Sequence, residues 1–176
     1  MNLAGTKTAE NLQTALAGES IARNKYSYFA QTARSNGDEE VAAAFERMAK
    51  NEMMHARFWY EQLFGTPGDT EECLEQAAQG ECDEWSRMYP EFARQAREEG
   101  LEELALMFMR VAAIERGHER EFRSLLSRLT QPEAEAAKRK KSGCRCQFCG
   151  AIFEDRPDVC GTCRAAGAFE YIKYVE

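Results

Sequence analysis

The chain has 176 residues, of which 44% are hydrophobic and 30% are charged, and its net charge is −7. This length suits one domain of moderate size together with a smaller one. The negative charge argues against a general nucleic-acid-binding protein, and the sequence lacks the run of about 18 apolar residues that a membrane span needs. The N-terminal segment also lacks the apolar core of a signal peptide, so we expect a cytoplasmic protein.

Apolar residues recur at helical spacing in four long segments, which predicts four helices. The predicted helices cover residues 7–35, 38–64, 70–98 and 101–129. Asn36-Gly37 and Glu99-Gly100 have the composition of helix ends. Helices of about 40 Å are typical of helix bundles. We therefore predict an all-α four-helix bundle over residues 1–130.

Both histidines of the chain lie in the same Glu-x-x-His pattern, once as Glu52 with His55 and once as Glu115 with His118. Residues at i and i+3 share one face of a helix, so each pair offers a carboxylate and an imidazole to one point. Two such pairs, with one glutamate from each remaining helix, form the ligand set of carboxylate-bridged di-iron sites. Such ligands suit iron or manganese better than a closed zinc site. The alternative is a pair of ordinary histidines on a salt-bridged helix surface.

An internal duplication supports the metal-site interpretation. Glu19 and Glu81, the candidate ligands from the other two helices, are equivalent at an offset of 62 residues, and from Tyr26 and Tyr89 onward the offset is 63. One residue inserted in an unbroken helix predicts a π-bulge between Glu81 and Tyr89, and the extra carboxylate Glu84 lies in that interval. Glu84 is a candidate ligand or a surface glutamate. The two tyrosines are candidates to hydrogen-bond to ligand carboxylates, or they are ordinary core residues.

Two Cys-x-x-Cys pairs predict a second metal site, with four thiolate ligands. These ligands are Cys146, Cys149, Cys160 and Cys163. Four thiolates suit zinc or iron, and a structural zinc ribbon is one interpretation. Iron is favoured because a di-iron centre that reacts with peroxide or oxygen needs electrons, and an FeS4 centre can supply them one at a time.

The cysteines belong to a small C-terminal domain, residues 144–176, which is too short to hold a core without a metal. A linker is predicted at residues 131–143, and its basic run at 138–141 is more typical of a solvated segment than of a nucleic-acid-binding patch. Short β-type runs are predicted at 151–153 and 169–172.

Four motifs make the chain resemble rubrerythrin over nearly its whole length. They are Gly18-Glu19-Ser20-x-Ala22-Arg23-Asn24-x-Tyr26, Asn51-Glu52-x-x-His55-Ala56, Gly80-Glu81-x-x-Glu84-Trp85-x-x-Met88-Tyr89-Pro90-Glu91-Phe92 and Glu115-x-x-His118-Glu119. The resemblance implies a ferritin-like bundle followed by a rubredoxin-like FeS4 domain, and reduction of hydrogen peroxide to water in oxidative-stress defence. It implies two non-haem irons in an oxo- and carboxylate-bridged site, with Glu52 and Glu115 bridging. The implied ligands are Glu19, Glu52, His55, Glu81, Glu84, Glu115 and His118.

The resemblance also implies how these groups act. One iron would exchange His55 for Glu84 as its oxidation state changes. Together with Tyr26 and Tyr89, which are candidates because of their positions beyond Glu19 and Glu81, these two residues make up the candidate catalytic set. The implied partners are hydrogen peroxide, an electron-donor protein (rubredoxin or an NAD(P)H-dependent reductase) and a second copy of the chain. The second cysteine pair, residues 160–163, lacks the proline that is usual in the family.

Three other functions are compatible with parts of the pattern. An oxygen-activating hydroxylase shares the bundle ligands, but seven ligands leave little open coordination for an organic substrate. A ferroxidase, iron-handling or oxygen-reducing ferritin-like protein with a structural zinc ribbon is the runner-up. A zinc-stabilised scaffold without turnover is the third.

Overall fold

The computed structural model of the chain describes residues 3–131 and 141–174. The chain forms two compact units, Met1–Pro67 and Gly68–Glu176. Long helices are followed by a small antiparallel sheet with cysteine knuckles, which confirms the predicted fold class. Within the described ranges, no helix is long and apolar enough to cross a membrane. The predicted linker falls largely outside those ranges.

The first unit is a pair of helices, α1 (Lys7–Ser35) and α2 (Glu39–Phe64). Gly37 ends α1 with a φ of 85°, a left-handed conformation that glycine adopts without strain. The Asp38 N–H then donates to the Ala33 carbonyl over 2.9 Å, which closes the turn into α2. Both helices therefore have the extent that the apolar periodicity predicts, to within one residue.

The second unit begins with the other two long helical segments of the chain. They comprise α3 (Thr70–Asp83), a π-helix (Glu84–Met88), α4 (Tyr89–Glu98) and α5 (Glu102–Thr130). Asp69 and Glu72 form a capping box at the start of α3, in which each side chain accepts from the other's backbone N–H. Gly100, with a φ of 77°, separates α4 from α5 just as Gly37 separates the first two helices.

The π-helix is the widened turn that the change of repeat offset predicts. The Tyr89 N–H donates to the Glu84 carbonyl, five residues back instead of four. The extra residue is thus accommodated inside a continuous helical rod, and the predicted bulge is confirmed. Its position makes Glu84 the first residue of the widened turn, next to the candidate ligand Glu81.

The duplication in the sequence is repeated in the packing of each unit. Small alanines are buried at positions 63 residues apart, which lets the paired helices approach closely. These positions are Ala30, Ala33, Ala42 and Ala49 in the first unit and Ala93, Ala96, Ala105 and Ala112 in the second. Each unit also has one aromatic trio with ring centroids 5.5–6.4 Å apart, formed by Tyr26, Phe29 and Phe45 or by Tyr89, Phe92 and Phe108.

The tail, residues 141–174, forms a three-stranded antiparallel sheet in the order β2-β1-β3. Its strands are β1 (Lys141–Cys146), β2 (Ile152–Phe153) and β3 (Phe169–Tyr174). Strand β1 was not predicted, because its first residues are polar or glycine and show no alternation; pairing with β3 sets its conformation. Ile114 of α5 packs into the same apolar cluster as Cys144 and Phe169 of the tail.

Candidate metal centres

The first unit brings Glu19 of α1 together with Glu52 and His55 of α2. One donor atom from each of these side chains lies within 4.8 Å of the others. The His55 Nδ1 is 2.8 Å from a Glu52 carboxylate oxygen and 3.8 Å from one of Glu19. One helical turn separates Glu52 from His55, so the local helix alone sets the shorter contact. Two carboxylates and an imidazole facing one point suit a hard divalent or trivalent cation.

The second unit repeats this cluster with Glu81 of α3 and with Glu115 and His118 of α5. The three donor atoms again lie within 4.8 Å of one another. The His118 Nδ1 is 2.6 Å from a Glu115 oxygen and 3.9 Å from a Glu81 oxygen. The near-identical distances show that duplicated sequence has produced duplicated geometry, with the same imidazole nitrogen turned toward the carboxylates in both units.

The second cluster has an additional acidic neighbour within its own unit. Glu84 is not in the close group of three, but it is near enough to Glu115 to feel its charge: burial first, and then Glu115, raise the pKa of Glu84. Burial and Glu115 likewise raise the pKa of Glu81. Burial, followed by the charge of Glu84, raises the pKa of Tyr89. Several carboxylates crowded in one place disfavour their own ionisation, and a bound cation relieves this repulsion.

The two candidate tyrosines lie in the aromatic trios at equivalent places. The Tyr26 ring is 6.1 Å from that of Phe45, and the Tyr89 ring is 6.2 Å from that of Phe108. Their rings therefore have a packing role in both units. Burial, and after it the charges of Glu84 and Glu115, raise the pKa of Tyr89, so its hydroxyl is also within electrostatic reach of the second cluster. The roles of Tyr26 and Tyr89 in catalysis stay predictions, as do the ligand roles of the clustered residues.

The four predicted cysteines converge in the tail. Their Sγ atoms form a close group, with Cys146 and Cys163 3.7 Å apart and Cys149 and Cys160 3.6 Å apart. A tetrahedral metal–thiolate site with bonds of about 2.3 Å has an Sγ–Sγ edge of about 3.8 Å. The spacing thus fits a single tetrahedral metal ion, as in a rubredoxin-type site.

The metal-free thiols differ sharply in acidity. Burial raises the pKa of Cys149 to about 12. Burial opposes ionisation of Cys160 too, but hydrogen bonds from the backbone N–H groups of Cys163 and Thr162 outweigh it and lower its pKa to about 7. Cys160 therefore ionises near neutral pH, whereas Cys149 must release its proton when a metal binds.

A direct contact joins the second Glu/His cluster to the cysteine site. Gly150 follows Cys149, has a φ of 76°, and lies so close to His118 that a Cβ built on it would be 2.5 Å from Nε2. No L side chain fits there unless the imidazole or the loop that carries Gly150 moves. His118 thus presents Nδ1 to the carboxylates and Nε2 to the backbone of the first knuckle. The two knuckles are the Cys-x-x-Cys turns of residues 146–150 and 160–164. The residue that follows a thiolate ligand therefore touches a candidate ligand of the other metal site.

A hydrogen-bond network around the buried Glu119 supports the same region, and the sequence analysis did not predict it. The Trp85 indole N–H donates to one Glu119 oxygen over 2.6 Å, and the Arg123 Nε donates to the other over 2.7 Å. Burial favours the neutral form of Glu119, but the hydrogen bonds from Arg123 and Trp85 prevail and lower its pKa. The network ties the π-helix to α5 beside His118. The sequence did contain a signal for this network. Glu119 is charged where its counterpart in the first repeat, Ala56, is apolar.

The sequence of the chain matches known proteins of one family. A sequence profile of the Rubrerythrin family matches residues 10–71 and 72–173. Rubrerythrin-1 of Clostridium acetobutylicum is 37% identical over 180 residues, covering 92% of this chain and 92% of that protein. Rubrerythrin of Nitratidesulfovibrio vulgaris is 34% identical, with 92% of each chain covered. The solved structure of nigerythrin in a partially reduced state is 28% identical over 96% of this chain and 90% of that one, with a TM-score of 0.45.

Proposed function

Because the chain belongs to the rubrerythrin family, we propose that it reduces hydrogen peroxide to water and uses the cysteine site as its electron relay. The observation that carries this proposal is the contact between Gly150 and His118, because it joins a thiolate site to a Glu/His cluster within one unit. A structural zinc ribbon would need no such contact. The proposed setting is oxidative-stress defence in the cytoplasm.

The two Glu/His clusters are proposed to hold the two non-haem irons, with Glu52 and Glu115 as the bridging carboxylates and Glu84 as an additional ligand. Their oxygen and imidazole donors suit iron in both of its common oxidation states. When bound, iron supplies the electrons that cleave the peroxide O–O bond. The cysteine set is proposed to hold a third iron. The exchange between His55 and Glu84 remains part of this proposal.

Reduction of one peroxide consumes two electrons and two protons and yields two water molecules, so protons have to reach the site. Tyr89 keeps its phenolic proton at neutral pH, because burial and the nearby carboxylates raise its pKa. It is proposed to donate a hydrogen bond toward the second cluster, and Tyr26 is proposed to do so at the first. Glu84 stands next to this cluster on the π-helix, and when His55 replaces it as a ligand it is the proposed carboxylate for proton transfer.

The electron path is proposed to run from the cysteine site through the Cys149–Gly150 backbone to the His118 imidazole. These groups are in van der Waals contact and involve no side chain beyond the ligands themselves. The proposed electron donor is a protein, rubredoxin or an NAD(P)H-dependent reductase. A homodimer is proposed as the working form.

A relay variant tests the proposal. Cys160→Ser removes one thiolate, whereas Cys73→Ser removes an exposed cysteine outside the ligand set and serves as the matched control. With a protein reductase and NAD(P)H, the Cys160 variant should lose steady-state peroxide reduction while its chemically reduced Glu/His sites still react with one equivalent of peroxide. The control should behave as wild type. Survival of steady-state turnover in the Cys160 variant would mean that electrons bypass the tail.

A further inference from the structure

One concave surface of the second unit is lined by none of the clustered candidate metal ligands. It lies between α5 and the tail sheet and encloses about 1050 Å³. Ligand pockets in proteins are typically about 300–1,000 Å³, so this cavity is large enough for an organic molecule well above the size of peroxide. Neither the metal ligands nor peroxide chemistry requires a space of this size.

The charge of the cavity is opposite to that of the whole chain. Its lining contains six cationic side chains and one carboxylate, although the protein carries a net charge of −7. The cations are Arg110, Arg116, Arg120, Arg128, Arg145 and Lys173. Concentrated positive charge in a concave surface with apolar walls attracts and holds anions.

The carboxylate does not neutralise this charge. Glu121 accepts a hydrogen bond of 2.6 Å from Arg145, which also donates to Glu170 over 2.8 Å. Of the remaining cations, Arg110, Arg120 and Arg128 have no carboxylate within ion-pair distance among residues 3–131 and 141–174. Guanidinium groups without partners in a shared cavity are donors for phosphate oxygens, which they bind in bidentate fashion.

The other walls of the cavity are aromatic and apolar. Tyr174, Phe153 and Ile172 of the sheet line it, and Trp85 lines it from the π-helix. The Trp85 ring has the Arg116 guanidinium over it at 5.1 Å. A ligand that combines a planar ring with several negative charges complements such walls, because rings stack on aromatic side chains while phosphates meet arginines.

We propose that this cavity binds a nucleotide that carries a phosphate chain, of the kind represented by the adenosine diphosphate moiety. The inference goes beyond peroxide reduction and does not depend on it. The cavity is lined by Gly150 and Thr162, one residue from each knuckle, so a nucleotide seated there would contact the loops that carry the thiolate ligands. Binding would therefore be reported by the spectrum of the iron-loaded cysteine site.

The internal duplication provides matched controls. Arg110 and Arg120 of α5 have Arg47 and Arg57 of α2 as their counterparts 63 residues earlier. Arg47 and Arg57 belong to the other unit and do not line the cavity. Arg110→Ala/Arg120→Ala and Arg47→Ala/Arg57→Ala thus remove the same charge from equivalent helix positions, and only the first pair removes it from the proposed site.

The experiment is calorimetric titration of the iron-loaded full-length protein with ADP, adenosine and inorganic tripolyphosphate. Wild type should bind ADP more tightly than adenosine or tripolyphosphate. Adenosine can stack on the aromatic side chains only, and tripolyphosphate can contact the arginines only. The α5 double variant should weaken ADP binding about 100-fold, since each lost charge-assisted contact is worth about a factor of ten. The α2 double variant should leave it unchanged. An intact cysteine-site spectrum and unchanged helix content would verify that each variant is folded.

Three results would overturn the proposal. One is the absence of ADP binding to wild type, and another is an equal loss in both double variants, which would indicate attraction by general charge. The third is binding of tripolyphosphate as tight as that of ADP, because the cavity would then be an anion site that does not recognise a nucleotide. A shift in the cysteine-site spectrum on adding ADP to wild type, absent in the α5 double variant, would support it.

Discussion

Substituting Gly150 with alanine perturbs both candidate metal centres through one added methyl group. The new Cβ would lie 2.5 Å from the His118 Nε2, closer than real carbon–nitrogen contacts come, so either the imidazole or the first knuckle has to move. Because Glu115 holds the other imidazole nitrogen at 2.6 Å, the displacement would be transmitted to the second Glu/His cluster. We expect Gly150→Ala to weaken both iron retention in that cluster and the stability of the tail.

The destabilisation caused by the clash with His118 can be separated from the backbone strain of a left-handed alanine. At a left-handed φ, an L residue costs about 1–2 kcal/mol relative to glycine, and loss of glycine entropy in the unfolded chain offsets about 0.4–1 kcal/mol of that. Gly167 has nearly the same φ, 72° against 76°, but nothing within 4 Å of its Cβ position. Gly167→Ala should therefore change the free energy of unfolding through these two backbone effects alone. Overpacking adds about 1–3 kcal/mol, which is the expected difference between the two variants.

The assay is denaturant unfolding of the iron-loaded protein, followed by loss of the cysteine-site colour, together with iron content. Gly150→Ala should unfold at lower denaturant than Gly167→Ala. In the Gly150→Ala background, His118→Ala should bring the tail back to the stability of Gly167→Ala, because the clash partner is gone. Equal midpoints for the two glycine variants, or no recovery on removing the imidazole, would refute the contact on which this reasoning depends.

Other predictions concern the groups around this contact. Glu84→Ala should retain both irons of the Glu/His clusters but lower the peroxide reduction rate, and iron content and rate measured on one sample would check this; full activity at full occupancy would exclude a role for Glu84. Trp85→Phe should destabilise the protein by about 1–3 kcal/mol, because a buried Glu119 oxygen loses its donor. Because folding lowers the pKa of Glu119, its ionised carboxylate stabilises the folded protein above its ordinary pKa of about 4.3, and this stabilisation is lost as the pH falls. The free energy of unfolding of the Trp85→Phe variant should therefore decrease less than that of wild type between about pH 5 and 3. Binding of Co²⁺ to the apo cysteine site should strengthen with rising pH and release protons, because Cys149, with a pKa of about 12, must ionise; pH-independent binding would contradict this.

Much of the helical part was predictable from local pattern. Helical periodicity, together with the stops at Asn36-Gly37 and Glu99-Gly100, predicted the helix ends to within one residue of those in the structure. These signals act over a single helical turn, so they can be recognised locally. The π-helix was predictable from an offset of one residue between duplicated halves, which is a counting argument that needs no tertiary information. The Glu-x-x-His pair of each cluster followed from i, i+3 spacing for the same reason, whereas Glu19 and Glu81 followed from the duplication.

The features that were missed depend on contacts distant in sequence. Strand β1 owes its conformation to pairing with β3, whose residues follow about thirty positions later, so no local pattern marked it. The Trp85–Glu119 hydrogen bond and the approach of Gly150 to His118 both join segments more than thirty residues apart. Deviations from the repeat were the available clue: Gly117 and Glu119 replace Met54 and Ala56 where α5 meets the tail and the π-helix.

The central claim, that peroxide is the oxidant this protein reduces, is tested most directly by mixing the fully reduced protein with either hydrogen peroxide or dioxygen in a stopped-flow instrument. We expect one equivalent of peroxide to oxidise the Glu/His sites at least tenfold faster than an equal concentration of dioxygen, with water as the product and no iron taken up beyond the bound metal. Faster oxidation by dioxygen, or continued accumulation of ferric iron when ferrous iron is supplied, would instead identify an oxygen-reducing or iron-handling protein.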